Sequence, residues 1–290
     1  MRQAPASGLR AAVLVALLSA AAALGSGSRT RLASGIGSVG TNASGPITFF
    51  LRVASATVEV VASEGALVRV TLQDQPRAGL SLVSTGGDRL EAEFDGRRRL
   101  RSGKLRIEVP RGSRLDVASL DGRITVRGVG GEVRVRASSG DIDLFGASLV
   151  DAEAIDGEID VHDATGPVAV RTVSGAVSVS TVSSAARLEL ETASGSVDWR
   201  GACGKGCRVD AETVSGRLHF RLERSSSFAI STISQTGGLR DELGLAAEPT
   251  ARGGGAGAPA KPGWKRAHYG TAEGEIECET FSGDVIVSGP

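Results

Sequence analysis

From Arg111 onward, apolar and polar residues alternate in short runs that restart at a nearly fixed interval. The phrase Thr280-Phe281-Ser282-Gly283-Asp284-Val285-Ile286-Val287 recurs upstream at 213–220, 192–199, 172–179, 154–161, 137–144 and 119–126. Its glycines fall at Gly122, Gly140, Gly157, Gly175, Gly195 and Gly216, a period of about 18–20 residues that reads as a solenoid. After each glycine the second and fourth residues are apolar: Ile124/Val126, Ile142/Leu144, Ile159/Val161, Val177/Val179, Val197/Trp199 and Leu218/Phe220. Alternation with a single apolar face marks half-buried strands. A second alternating run precedes the glycine, as at 132–137, 167–172, 187–192 and 208–213, so each coil carries two strands. The expected fold is all-β, a β-solenoid (β-helix-like) with two strands per coil. The Ser-Gly or Asp-Gly step turns the corner, where positive φ is cheap only for glycine.

The flanks read differently. Residues 46–117 hold short β-branched runs separated by small or turn-prone residues, an N-terminal β-strand region capping the repeats at 118–290. Residues 235–263, rich in Gly, Ala and Pro, read as a loop excursion, with weakly helical character from Leu239 to Ala247 and a short strand from Lys265 to Tyr269. Residues 26–45 lack periodicity and read as a flexible linker. Residues 1–25 have the form of a signal peptide: Arg2 and Arg10, an apolar run from Ala11 to Leu24, then small residues at Ala23-Leu24-Gly25. That run is shorter than the roughly 20 residues of a membrane span.

Composition narrows the function classes. In 290 residues, 33 basic and 33 acidic side chains cancel, which leaves no electrostatic footprint for nucleic acid. The apolar fraction of 41% suffices for a core, while 3% aromatics and 40 glycines suit a thin β structure. Export implies an oxidising compartment, so Cys203 and Cys207, flanking Gly204-Lys205-Gly206, form a disulfide candidate. Cys278 should point inward as a small filler, and the three cysteines make a poor zinc site. The basic run Arg97-Arg98-Arg99 with Arg101 reads as a solvated loop.

The strand from Leu105 to Pro110, the lead-in Leu115-Asp116-Val117, the Ser-Gly-x-Ile/Val-x-Val repeats and the interruption before Ser282-Gly283-Asp284-Val285-Ile286-Val287 together resemble the bacterial DUF4097 family, labelled adhesin on its fold. The resemblance spans 46–290. It implies an exported or membrane-associated β-repeat protein and brings no catalytic residues with it.

Candidate chemistry is sparse. Stacked coils place Asp141/Asp143 beside Glu158/Asp160, with Asp143 and Asp160 about 5 Å apart, the carboxylate separation of retaining glycosidases. The same four are the weak metal candidates, without the repeat that marks calcium-binding β-rolls. The plainer expectation is a solvated ladder relieved by Arg123, Arg134 and Arg136. His219 points outward, and no serine is evident beside it among His162, His219 and His268. The glycines precede strands, so neither a phosphate loop nor a dinucleotide fingerprint is present. The sequence therefore leads to an exported, non-enzymatic module of the bacterial cell envelope, structural or adhesin-like, with no cofactor. Its partner would be an unknown envelope or surface component, protein or polysaccharide, in the periplasm, outer envelope or outside the cell. Membrane contact would require the N-terminal segment to stay uncleaved. The alternatives are a polysaccharide-acting enzyme or calcium-binding solenoid on the Asp143/Asp160 ladder, and a membrane-anchored accessory of an envelope-stress system.

Overall fold

The computed structural model describes residues 29–75, 77–94, 100–247 and 265–289. The signal-peptide expectation for 1–25 and the arginines at 97–99 lie outside the described residues. Strands follow one another from the start. They are β1 (Thr30–Ile36), β2 (Ser38–Asn42), β3 (Thr48–Ser63), β4 (Leu67–Leu72), β5 (Gly79–Gly86), β6 (Arg89–Phe94) and β7 (Leu100–Pro110). The repeats supply β8 (Arg114–Asp121), β9 (Ile124–Arg127), β10 (Glu132–Ser139), β11 (Ile142–Phe145), β12 (Leu149–Asp156), β13 (Ile159–Ala164), β14 (Val168–Ser174) and β15 (Val177–Thr181). They continue as β16 (Arg187–Ser194), β17 (Val197–Gly201), β18 (Arg208–Ser215) and β19 (Leu218–Leu222). The C-terminal part holds β20 (Phe228–Ser234), β21 (Leu239–Asp241), β22 (Ala246–Ala247), β23 (Lys265–Tyr269), β24 (Gly274–Ser282) and β25 (Val285–Ser288).

Each strand before a corner glycine stacks in parallel on its equivalent one coil away, and so does each strand after it. Two ladders result, here called the first and second faces, with rungs about 4.8 Å apart. The apolar pairs named from the sequence all point inward and are buried, as are their counterparts on the first face, such as Val133/Val135 and Leu188/Leu190. The fold expectation therefore holds: all-β, with long parallel ladders in a β-solenoid and a smaller N-terminal strand cluster.

The corner glycines carry two constraints at once. From Gly122 to Gly216 each repeat glycine has φ between 103° and 155°. A Cβ on any of Gly140, Gly157, Gly175, Gly195 and Gly216 would overlap the carbonyl oxygen of the glycine one rung back. Gly283 adopts no positive φ, yet the same overlap with Gly216 excludes a side chain there.

The ends depart from chain order. β3 runs through both faces as a full rung: Phe49 and Leu51 stack on Leu115 and Val117, and Val58 and Val60 on Ile124 and Val126. On its other side lie β6 and β7, which come later in the chain. The cap expected over 46–117 thus contains two genuine solenoid rungs, with antiparallel strands β5 and β1 added beyond β6, and β4 and β2 beyond β7. The flexible linker expected at 26–45 gives way to β1 and β2, because Gly, Ser and Thr side chains suffice where a strand gains its order from backbone pairing with β5 and β4. At the other end β24/β25 lies between β18/β19 and β20/β21, although it is the last rung in sequence. The helical tendency from Leu239 to Ala247 is overridden: Leu239–Asp241 pairs with Val285–Val287 as part of the outermost rung, and Asp241 caps the following turn through the amides of Leu243 and Gly244. Residues 239–241 thus belong to the outermost rung rather than to the expected excursion, whose residues 248–263 lie outside the described residues, and β23 forms where a short strand was expected.

Cys203 and Cys207 are bridged, with Cα atoms 5.3 Å apart, in the loop joining β17 to β18. Cys278 is buried, as expected, and burial pushes its thiol well above the usual range. For a loop this short, chain-entropy arguments give the bridge about 2 kcal/mol. A Cys203→Ala/Cys207→Ala variant should lower the urea midpoint accordingly while keeping its β-sheet circular dichroism.

Candidate interaction face

The side chains available to solvent lie at the odd positions between inward residues, and stacking sorts them into columns. On the second face the sequence candidates meet as expected in part: Asp143 stands beside Asp160 in register. Arg123 reaches both Asp141 and Asp143, the latter at 3.3 Å, and Thr125 donates to the same Asp143 oxygen at 3.3 Å. Asp141 also accepts the Glu158 amide at 3.3 Å. Asp160 is held above the usual carboxylate range, first by burial, with His162 opposing and Asp143 adding repulsion. Arg134 and Arg136 do not serve this ladder. They sit on the first face, bonded to Asp151 at 2.8 Å and Glu153 at 3.1 Å, because their strand precedes the corner glycine. No group of three or more His, Cys, Asp or Glu among the described residues is placed to hold a metal.

Farther along the second face is an arrangement that the sequence did not reveal. His219 Nδ1 lies 3.2 Å from Asp198, and its Nε2 lies 2.9 Å from the Ser288 hydroxyl. The three sit on β17, β19 and β25, and stacking alone brings them together from distant positions. Their order resembles a catalytic Ser-His-Asp chain, but Arg221 also binds Asp198 at 2.9 Å, and Ser288 is only 7% exposed. A serine so covered presents no face to a substrate carbonyl, and the chain of contacts ties the last rung to its neighbours. Nearby, Arg127 stacks over Phe145 at 4.1 Å and Phe145 over His162 at 4.5 Å, a three-rung outward stack.

The first face changes character along its length. From β8 to β14 its charges are balanced across rungs: Arg114 with Glu132, Arg134 with Asp151, Arg136 with Glu153, and Arg171 within 4.0 Å of Asp151, Glu153, Glu189 and Glu191. Beyond Arg171 the balance ends. Glu189, Asp210 and Glu277 form one column, and Glu191, Glu212 and Glu279 the next, on three consecutive rungs. Arg208 reaches this array from its margin, at 3.3 Å from Asp210. Among the described residues, Glu212 and Glu279 have no cation within ion-pair distance. Glu191 and Glu212 are held above the usual range, first by burial; Glu212 is raised further by Glu191 and Glu279, while Arg171 lowers Glu191. The third outward column, at the corner, is apolar through Ile155, Val173, Ala193, Val214 and Phe281, ending with Val214 38% and Phe281 45% exposed. This array was legible in principle: Glu189-Leu190-Glu191-Thr192, Asp210-Ala211-Glu212-Thr213 and Glu277-Cys278-Glu279-Thr280 share one pattern. Finding it needed the knowledge that 274–282 stacks directly on 208–215.

Comparison with known proteins adds a family likeness over part of the chain. No curated protein matches the chain. A solved structure described as "a putative cell adhesion protein from Clostridium sporogenes" shares 10% identity and covers 91% of this chain and 99% of that one at a TM-score of 0.25, a likeness that carries no argument. Residues 94–199 match the Toastrack DUF4097 model, a span that runs from the end of β6 to Trp199 and includes the corner glycines Gly122 to Gly195. Over that span the chain is similar to the DUF4097 (Toastrack) family.

Proposed function

We propose that this protein is an exported, non-enzymatic interaction module of the bacterial cell envelope, adhesin-like in action, whose working surface is the carboxylate array on β16, β18 and β24. The observation that carries the reading is the unbalanced charge. The same scaffold pairs its arginines and carboxylates rung by rung up to Arg171, then crowds six carboxylates onto three rungs beside an apolar corner; two of them, Glu212 and Glu279, have no cation within ion-pair distance among the described residues. Keeping Glu191 and Glu212 ionised there costs stability, which a bound cation would return. A cationic protein segment with apolar side chains matches both the columns and the Val214/Phe281 corner. Against catalysis stand the neutralised Asp141/Asp143 pair and the covered Ser288.

An oligolysine peptide tests this reading. It should bind the intact protein at low salt, more weakly at high salt, and at least tenfold more weakly to Glu191→Gln/Glu212→Gln/Glu279→Gln. An Asp141→Asn/Asp143→Asn variant should bind as the parent does; equal binding by all three proteins would overturn the assignment, and labelling of Ser288 by a fluorophosphonate would overturn the non-enzymatic part. The triple variant carries a second signature. A carboxyl whose folded pKa is raised favours the fold while protonated, and that contribution is lost as pH rises from about 4.5 through the raised value. The loss of Glu191 and Glu212 in that variant should therefore flatten the fall in stability across that window and stabilise the protein at neutral pH by less than about 1 kcal/mol per site, given their exposure.

A further inference from the structure

The loops that return each rung from the second face to the first form an edge of their own, and midway along it the repeat is broken. After β11 and β13 the return takes residues 146–148 and 165–167, whereas after β15 it takes 182–186. The adjoining strand is bulged as well. Val161 pairs with Val179 but Ala164 with Thr181, so β13 spends one residue more than β15 between those pairs. Asp163 takes up the extra length at φ 54°, its amide donating to the Ser180 hydroxyl at 3.1 Å. Between the short loop and the long one a notch of about 270 Å³ opens. That is just under the roughly 300 Å³ at which sites for drug-sized ligands begin, so it admits a single ring.

The lining of the notch holds donors and no carboxylate. The Thr181 oxygen accepts the Trp199 indole N–H at 3.2 Å, and the Ser183 oxygen accepts the Ala185 amide at 3.1 Å. Each hydroxyl therefore keeps its own proton for a ligand. Arg187 supplies a guanidinium beside them. From β8 to β18, Arg114, Arg134, Arg136, Arg171 and Arg208 on the first face each have a carboxylate partner. Arg187 has none within ion-pair distance among the described residues. Its register partner is Arg208, already held by Asp210 at 3.3 Å and Glu275 at 3.9 Å, and on its other side Pro167 lines the same notch. Ala164, Pro167 and Ala186 complete the lining with apolar surface.

We propose that this notch binds one uronic acid unit. Its carboxylate would lie on the Arg187 guanidinium, its ring oxygens would accept from Thr181 and Ser183, and its C–H face would rest on Ala164 and Pro167. A guanidinium offers a carboxylate two parallel N–H donors, which fixes orientation as well as charge. A neutral sugar would leave Arg187 without a counter-charge, and a phosphate ester would bring a second negative charge that a notch with one cation does not meet. The site lies on the loop edge and does not depend on the carboxylate array being the working surface. It would give the module a hold on acidic glycans that the array, being of the same sign, cannot provide.

The indole N–H of Trp199 reports on the notch, because it donates to a lining hydroxyl. In the ¹⁵N-labelled full chain its resonance is distinguished from that of Trp264 by Trp199→Phe. Glucuronate should shift it saturably, and more weakly at high salt. Binding should fall at least about tenfold in Arg187→Gln, and equally when glucose replaces glucuronate, the usual scale for losing a hydrogen-bonded charge pair. Arg208→Gln, next in the column but outside the lining, should bind within about threefold of the parent. Glu191→Gln/Glu212→Gln/Glu279→Gln should bind glucuronate at least as tightly as the parent, so this site and the array stand or fall separately. No saturable shift with glucuronate, or equal binding by an Arg187→Gln protein of unchanged circular dichroism, would overturn the proposal. Glucose binding as well as glucuronate would do the same, and tighter binding of glucose 6-phosphate would overturn the choice of a carboxylate.

Discussion

Gly195→Ala should destabilise the protein by at least about 4 kcal/mol, whereas Gly146→Ala should cost only about 1–2 kcal/mol. Both glycines have positive φ, 151° and 67°, so both substitutions incur backbone strain. They differ in what a methyl group would meet. At Gly146 nothing lies within 4 Å of the added carbon. At Gly195 it would occupy the space of the Gly175 carbonyl oxygen, and backbone on that side cannot rotate away as a side chain could. Relief requires the two rungs to separate at the corner, where the Gly175 amide donates to Ser194 at 3.2 Å and the Val177 amide to Ser196 at 2.8 Å. Losing two inter-rung backbone bonds, each costing about 1–3 kcal/mol when left unmet, accounts for the excess. Urea midpoints of the two variants check the contrast, and equal midpoints would show that φ rather than rung spacing dictates glycine at the corners.

That contrast bears on how much of the molecule could be read from its sequence. The interior of the solenoid was legible because one strand pattern, repeated, fixes both which residues face inward and which glycines stack. Ile142 over Ile159 and Val177 over Val197 follow from the period alone. The ends were not legible for the same reason. Since every rung carries an equivalent pattern, the sequence does not say which rung lies on which, and β20/β21 has as good a claim to β18/β19 as β24/β25 has. β1 and β2 escaped notice because antiparallel edge strands held by backbone pairing need little apolar content. The candidate site suffered most from this ambiguity. Asp143 beside Asp160 needed only adjacent repeats, but the Glu191, Glu212 and Glu279 column and the Asp198, His219 and Ser288 chain both cross the displaced C-terminal rung. The sequence candidates were therefore drawn from where the repeat is regular, whereas the unbalanced charge lies where the order breaks.

Trp199→Ala should lower stability by about 3–5 kcal/mol, the usual range for truncating a fully buried large aromatic. The indole is completely enclosed and meets Phe220 of the next rung edge-on at a centroid distance of 6.1 Å. Its Nε1–H donates to the Thr181 hydroxyl one rung back at 3.2 Å. Trp199 thus ties three successive rungs together, β15, β17 and β19. In a stack where stability is largely the sum of nearest-neighbour interfaces, both of its interfaces weaken at once. Trp199→Phe separates the contributions: it keeps most of the apolar contact but leaves the Thr181 hydroxyl without its donor, so a loss of about 1–2 kcal/mol is expected. Because β19 stacks directly on the strand that carries Trp199, the alanine variant should also speed amide exchange in Leu218 and Phe220 before it affects Ile124 or Val126 at the other end. Hydrogen exchange followed by mass spectrometry reads that gradient. Uniform acceleration along the whole solenoid would mean that the rungs unfold as a single unit and that Trp199 has no local reach.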